Sequence, residues 1–306
     1  MTGVVGKLTL IGVGLIGSSI AHAARRGAVA GHVAGYEPHA DVIARAQTAG
    51  FADSLHTDIG SAVRDADLVI LAAPVGAYAG VAETMAPHLK PGAIVSDVGS
   101  VKTAVLRDVG PHVPEGVHLV PAHPISGTEQ SGPEAGFATL FDGRWCILTP
   151  PPGTDAKAVE TVRRFWQGLG SQVEIMEPRH HDLVLAITSH VPHLIAYNIV
   201  GTAAHLEEVT KGEVIKYSAG GFRDFTRIAA SDPTMWRDVF LNNREAVLEM
   251  LGRFTEDLTA LQRHIRYGDG DALFDLFTRT RAIRRSIVDA GQDTASPDFG
   301  RGKVDR

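Results

Sequence analysis

The chain has 306 residues, 44% hydrophobic and 21% charged, a balance that excludes a largely disordered protein and predicts about two domains. A net charge of −6 without a long basic run argues against a general nucleic-acid or membrane-surface binder. The single cysteine, Cys146, excludes an internal disulfide framework or cysteine-rich zinc site and fits a reducing compartment.

The N-terminus, MTGVVGKLTLIGVG, lacks the apolar core of a signal peptide, and apolar runs such as LVILAAPV read as too short to span a bilayer. A cytoplasmic protein without a membrane partner is expected. The first half alternates short apolar runs with helical segments. Lys7–Val13 reads as a strand and LIGSSIAHAARRG as a helix. His32–Glu37 is a second strand, followed by a helix through DVIARAQTAG that ends on glycine. Asp67–Pro74 and Ala93–Val98 are buried-strand runs, each leading into a helix. His118–His123 reads as one further strand. RWCILTP and QVEIM follow, flanking the helix AKAVETVRRFWQGLG. Such alternation predicts right-handed βαβ units and a mostly parallel sheet covered on both faces. Ligands bind at the carboxyl ends of such strands.

Beyond Glu177 no strand pattern remains. A helix is expected from His180 to His205, kinked or broken at Pro192. A long helix is expected over Asp238–Ile265. Its apolar positions are Phe240, Val247, Leu251, Phe254, Leu258, Leu261 and Ile265, spaced 4, 3, 4, 3 and 4 after Val247. That seam packs either within the chain or across a dimer. Another helix spans Asp271–Ala290. The expected division is residues 1–177, an α/β domain; 178–291, an all-helical domain; and 292–306, a polar tail.

GVGLIG sets Gly12, Gly14 and Gly17 at the first strand-to-helix turn. There they permit a tight turn, close approach to a pyrophosphate and close helix packing, the fingerprint of a Rossmann-type, doubly wound dinucleotide fold. Glu37 follows Gly17 by twenty residues at the end of the second strand. An acid there accepts from a ribose 2′-hydroxyl and repels a 2′-phosphate, favouring NAD over NADP; His39 nearby can partly offset it.

SDVGSVK puts Ser100 at a strand's carboxyl end, where serine holds a substrate hydroxyl, orients a histidine, or caps a helix. PAHPISGTEQSG puts His123 on a rigid turn one strand on. It is either a base for an alcohol proton or a turn histidine bonded to backbone. TSHVPH supplies Ser189, His190 and His193, a polar cluster or, with His180 and His181, a metal site lacking a clear carboxylate partner. Arg223, Asp224 and Arg227 in GGFRDFTRIAASDPTMW offer either a carboxylate grip or a surface ion pair, with Trp236 as core packing.

Taken in order, GVGLIGSS, SDVGSVK, AHPISGTE, TSHVPH and GGFRDFTRIAASDPTMWRDVF resemble the prephenate/arogenate dehydrogenase family of tyrosine biosynthesis, over nearly all of residues 7–290. The broader look is that of the cyclohexadienyl dehydrogenases of some bacteria. The resemblance implies NAD-dependent oxidative decarboxylation of prephenate or arogenate, to 4-hydroxyphenylpyruvate or tyrosine, without a metal. By motif position it makes His123 the acceptor for the ring-hydroxyl proton. Ser100 would contact that hydroxyl, the histidine and the nicotinamide end. His193 and Ser189 would line the substrate site, and Arg227 would bind a substrate carboxylate. Asp224 and Glu129 would form polar links around that arginine, with Thr128 in the pocket wall. Leu15, Ile16 and Pro74 join the glycines and Glu37 around the cofactor. A homodimer through the helical domain is also implied. No regulatory or mutase segment like that of some relatives is read, so any feedback by tyrosine is expected at the active site or an unrecognised one.

Two rivals share features with this reading. A 3-hydroxyacid dehydrogenase would use an interdomain-helix lysine, Lys211 or Lys216, neither in a matching motif. A non-catalytic NAD sensor would have no reason to keep His123, Ser100 and Arg227 together. Prephenate, arogenate and an amino-deoxy analogue remain undistinguished, because no residue contacting the substrate side chain is identified.

Overall fold

The computed structural model describes residues 3–128, 130–205 and 220–289. A parallel six-stranded sheet is formed by β1 (Val5–Ile11), β2 (Ala30–Tyr36), β3 (Ser54–His56), β4 (Leu68–Leu71), β5 (Ile94–Asp97) and β6 (His118–Leu119). Its order is β3-β2-β1-β4-β5-β6, so the chain reverses direction across the sheet between β1 and β4. That reversal is where a doubly wound fold opens its ligand crevice.

Strand alternation shows why both faces are covered. Leu8 and Leu10 of β1, with Leu68 and Ile70 of β4, join the core that contains Phe165 and Trp166. Ile11, Val69 and Leu71 join the opposite core, with Tyr78 and Val105. A strand buried on both faces reads as a continuous apolar run rather than an alternating one. The helices α1 (Leu15–Arg26), α2 (Ala40–Ala49), α3 (Ile59–Val63), α4 (Tyr78–Met85) and α5 (Lys102–Asp108) connect these strands. The second ends at Gly50, whose φ of +68° is the left-handed conformation glycine adopts at a helix stop.

The expected strand His118–His123 is two strands in two sheets. Val120 N–H still donates to Val95 at 2.9 Å, but Pro121 has no N–H to continue the ladder. Its carbonyl accepts instead from Thr149 N–H at 2.9 Å. The chain then enters a second, three-stranded sheet: β7 (Ala122–Pro124) antiparallel to β8 (Trp145–Leu148), which is parallel to β9 (Gln172–Ile175). Between β8 and β9 runs α6 (Ala156–Gly168), its N-terminus capped by Asp155.

Among the described residues no strand follows β9. The helix α7 (Pro178–Leu185) runs through a π-helical turn, Ala186–His190, into α8 (Val191–Ala204). The kink or break expected at Pro192 takes the form of this wider turn. Val191 N–H reaches back five residues to Ala186, and the helix continues through the proline. Within the continuous run Pro178–Ala204 an 18-residue stretch has a mean hydropathy of 1.5, so the helix is long and apolar enough to cross a bilayer by length and composition. This corrects the expectation that every apolar run is too short. The run's own buried polar groups, His181, Asp182 and His190, are engaged in protein hydrogen bonds.

The long helix expected over Asp238–Ile265 is also two: Pro233–Asn242 and Arg244–Tyr267. The break is at Asn243, whose buried side-chain amide donates to the Asp182 carbonyl at 2.9 Å. By compactness the chain forms two units, Met1–Met250 and Leu251–Arg306. Trp236 and Val239 pack in the same core as β4 and β5, which ties the helix Pro233–Asn242 to the sheet. Along the apolar seam Val247 is buried, Leu251, Phe254 and Leu261 are half-buried, and Leu258 and Ile265 are exposed. Phe274 and Phe277 of the last helix, Gly270–Asp289, are exposed as well.

Candidate active site

The turn after β1 has the geometry of a phosphate cradle. Gly12 has φ +99°, and a Cβ there would lie 2.7 Å from the Ala72 carbonyl oxygen. A Cβ on Gly17 would lie 2.1 Å from the Gly12 oxygen, so helix and turn touch. Gly14 has nothing within 4 Å of where its Cβ would be, leaving open space before the N-terminus of α1. The first intrahelical bond goes from Ser18 N–H to the Gly14 carbonyl, so the N–H groups of Leu15, Ile16 and Gly17 have no acceptor within the helix. Such a terminus suits an anionic pyrophosphate. Glu37 stands one residue past β2, and its Oε1 accepts from His39 Nδ1 at 2.7 Å. That contact raises the His39 pKa. Pro74 follows β4, exposed at the start of a short helical turn.

Because the six strands are parallel, the residues after β1, β4 and β5 share one edge of the sheet. At the end of β5, Asp97 and Lys102 form a fully buried ion pair, Oδ2···Nζ 2.5 Å. Burial pushes the Asp97 carboxyl up and the Lys102 ammonium down from their usual ranges, and their mutual contact opposes both shifts. The pair grips the backbone of Ala122 on both sides. Asp97 Oδ1 accepts from Ala122 N–H at 3.2 Å, and Lys102 Nζ donates to the Ala122 carbonyl at 2.6 Å. These bonds replace the ladder that Pro121 interrupts and set the residue before His123.

His123 is 8% exposed. Its Nδ1 lies 2.9 Å from His181 Nε2, and His181 Nδ1 lies 2.8 Å from Asp182 Oδ1. Asp182 also accepts from Lys102 N–H at 2.7 Å, from Thr103 N–H at 2.9 Å and from the Thr103 hydroxyl. Burial alone would raise the Asp182 pKa, but the bonds from His181, Thr103 and Lys102 outweigh it and hold the carboxylate ionised. Burial, with the nearby His181 and Lys102, drives the His123 pKa well below its ordinary value. The imidazole is therefore neutral near pH 7 and able to accept a proton.

Asp182 corrects one expectation. Val101, not Ser100, is the N-cap of α5 and makes no side-chain cap bond. The first N–H groups of α5 are satisfied by Asp182 of α7. Ser100, half-buried at the strand end, is left for another use.

On the helical side, His193 Nδ1 bonds the Ser189 carbonyl at 2.8 Å, and its ring stacks on Trp236 at 3.7 Å between centroids. A carbonyl only accepts, so the proton of neutral His193 sits on Nδ1 and its Nε2 keeps a lone pair. Trp236 is buried core, as expected, and also the platform for His193. Burial lowers the His193 pKa, with Arg227 contributing. Arg227 starts a short helical turn, and Asp224 meets Arg223, Oδ1···Nε 3.4 Å. Thr128 is exposed, its hydroxyl oxygen accepting from Gln130 N–H at 3.2 Å. Glu129, Lys211 and Lys216 lie outside the described residues. No set of His, Cys, Asp and Glu suited to a metal occurs among the described residues. His180 is exposed at the start of α7, whereas His181 is buried against His123. Sequence reasoning missed the links from His181, Asp182 and Lys102 to His123. The adjacent His–Asp pair opening the first helix after the last strand was the available signal.

The profile described as prephenate dehydrogenase, nucleotide-binding domain, matches residues 20–175, and that described as prephenate dehydrogenase, dimerization domain, matches 177–279. The cyclohexadienyl dehydrogenase of Zymomonas mobilis is 41% identical over 280 residues, covering 92% of this chain and 95% of the relative. The prephenate dehydrogenase of Bacillus subtilis is 32% identical over 281 residues, covering 92% and 76%. Among solved structures, the prephenate dehydrogenase of A. aeolicus in complex with hydroxyphenyl propionate and NAD+ superposes with a TM-score of 0.86 at 35% identity, covering 92% of this chain and 98% of that one.

Proposed function

The chain belongs to the prephenate dehydrogenase family, and on that premise we propose that it oxidises and decarboxylates prephenate, arogenate or both, with NAD as hydride acceptor and His123 as proton acceptor. The observation that carries this reading is the neutral, buried His123, next to the Ala122 that Asp97 and Lys102 hold at the carboxyl end of β5, the edge that also carries the Gly12–Gly17 turn. The glycines and the free N–H groups of Leu15 and Ile16 would hold the pyrophosphate, Glu37 the adenosine ribose, and Pro74 and Ser100 the region nearer the nicotinamide. Glu37 supports NAD over NADP.

His123 takes the ring-hydroxyl proton on Nε2, since Nδ1 is bonded to His181. Its neutral form is the competent one, and the Asp97–Lys102 grip on Ala122 fixes its backbone. When bound, the cofactor supplies the acceptor for the hydride from ring C4. Loss of the C1 carboxylate as carbon dioxide then completes aromatisation, so the chain needs no covalent nucleophile. Its tasks are positioning and electrostatics. Ser100 holds the hydroxyl, His193 and Ser189 line the pocket with Thr128 and Glu129, and Arg227, supported by Asp224, grips a substrate carboxylate. Exposed apolar residues of the last two helices, Leu258, Ile265, Phe274 and Phe277, support a homodimer through the helical domain. The domain division follows residues 1–177 and 178–291.

The test is NADH formation from purified protein and NAD with prephenate, arogenate and the 4-amino-4-deoxy analogue in parallel. Turnover of the first or second is expected. Turnover of neither, by folded protein, overturns the reading.

A further inference from the structure

We infer that His181 and Asp182 are positioning residues for the reaction, holding His123 in the Nδ1–H tautomer and taking up part of the charge when its Nε2 is protonated. The inference rests on His123 being the proton acceptor, as proposed above. Asp182 accepts four hydrogen bonds and is held ionised, so the nitrogen of His181 facing it must carry a proton. Neutral His181 then has its lone pair on Nε2, 2.9 Å from His123 Nδ1. Two lone pairs cannot bond each other, so His123 Nδ1 carries the proton and Nε2 is the basic atom. Each tautomer follows from the one behind it, ending at a carboxylate locked by the backbone of α5.

The same chain answers an electrostatic problem. His123 sits near the Lys102 ammonium from α5, which is itself paired with Asp97 from β5, and near Cys146 from β8 and His190 from the π-helical turn. A proton arriving on Nε2 makes a second cation beside Lys102. The Nδ1–H bond to His181, backed by Asp182, becomes charge-assisted at that moment and offsets the repulsion. No atom is consumed: the proton from the substrate hydroxyl goes to Nε2 and departs to solvent after product release. A neutral histidine, not a carboxylate, touches the base, so its cation is stabilised, and its basicity raised, less than a direct carboxylate contact would do.

The test compares His181→Phe, which keeps a ring but no acceptor, with His181→Gln, whose amide oxygen can accept from Nδ1–H. With prephenate and NAD, the phenylalanine variant should lose about a hundredfold in kcat with KM changed less than about threefold. Its acidic limb in kcat/KM should move to lower pH. Glutamine should restore most of the turnover and return the limb. A folded phenylalanine variant with wild-type kcat and pH profile overturns the inference. Nitrogen NMR of histidine-labelled wild-type protein reads the tautomer without any variant in the chain, the His123 signals being identified by their loss in His123→Asn. Protonated Nδ1 and unprotonated Nε2 on His123 are expected, and the opposite tautomer overturns the inference even if the phenylalanine variant does not fold. If His123→Asn itself turns over normally, the base assignment fails, and this inference with it. An inactive His123→Asn beside a wild-type-like His181→Phe overturns the inference alone.

Discussion

Lys102 donates from its buried ammonium to the carbonyl oxygen of Ala122 at 2.6 Å, one residue before His123. With Asp97 on the Ala122 N–H, the base is held by a buried ion pair in addition to the β7–β8 ladder. Lys102→Met removes the cation and leaves the Asp97 carboxylate buried without its partner. A loss of about 3–5 kcal/mol in unfolding free energy is expected, read by urea denaturation. A change below about 1 kcal/mol would mean the pair does not support this segment.

Acid should destabilise the fold before carboxylates titrate. Burial holds the His190 pKa down from 6.5 to about 4, and lowers those of His123 and His181 as well. Such a group takes its proton first in the unfolded chain. Stability is full above about pH 6.5 and is lost as pH falls through the folded value. His190 alone accounts for about 3 kcal/mol over that interval. Urea midpoints should fall between about pH 7 and pH 5, and a flat dependence would show these imidazoles to be solvated.

Cofactor choice should respond to pH through His39. Its ring bonds Glu37, which raises its pKa, so the imidazolium forms as pH falls and offsets the acid that repels a 2′-phosphate. The NAD-over-NADP preference, measured by equilibrium binding of the two reduced cofactors, should narrow at lower pH in wild type and stay constant in His39→Ala. A pH-independent ratio in wild type would remove His39 from discrimination.

Arg227→Ala should raise KM for prephenate by about 10- to 100-fold, the value of one charge-assisted carboxylate contact, with kcat changed far less. An unchanged KM would exclude Arg227 from the substrate carboxylate.

Local features of the site were legible in the sequence because their causes are local. Gly12, Gly14 and Gly17 serve one turn, and Glu37 follows from strand length. The doubly wound architecture followed from strands alternating with helices. What escaped depends on contacts between distant residues. Asp182 caps α5 from 80 residues away, which removed the capping role open to Ser100. His181 meets His123 across 58 residues, and no periodicity encodes that distance. Pro192 predicted a disturbed helix correctly, but the π-helical turn that absorbs it depends on backbone geometry. The break at Asn243 is dictated by its partners His190 and Asp182, not by its neighbours in sequence.

The most direct test of His123 as proton acceptor is His123→Asn, assayed for NADH formation and, separately, for prephenate affinity by equilibrium binding. Turnover should fall by about a hundredfold or more while the dissociation constant stays within about threefold. Turnover near wild type in the folded variant would contradict the role assigned to His123.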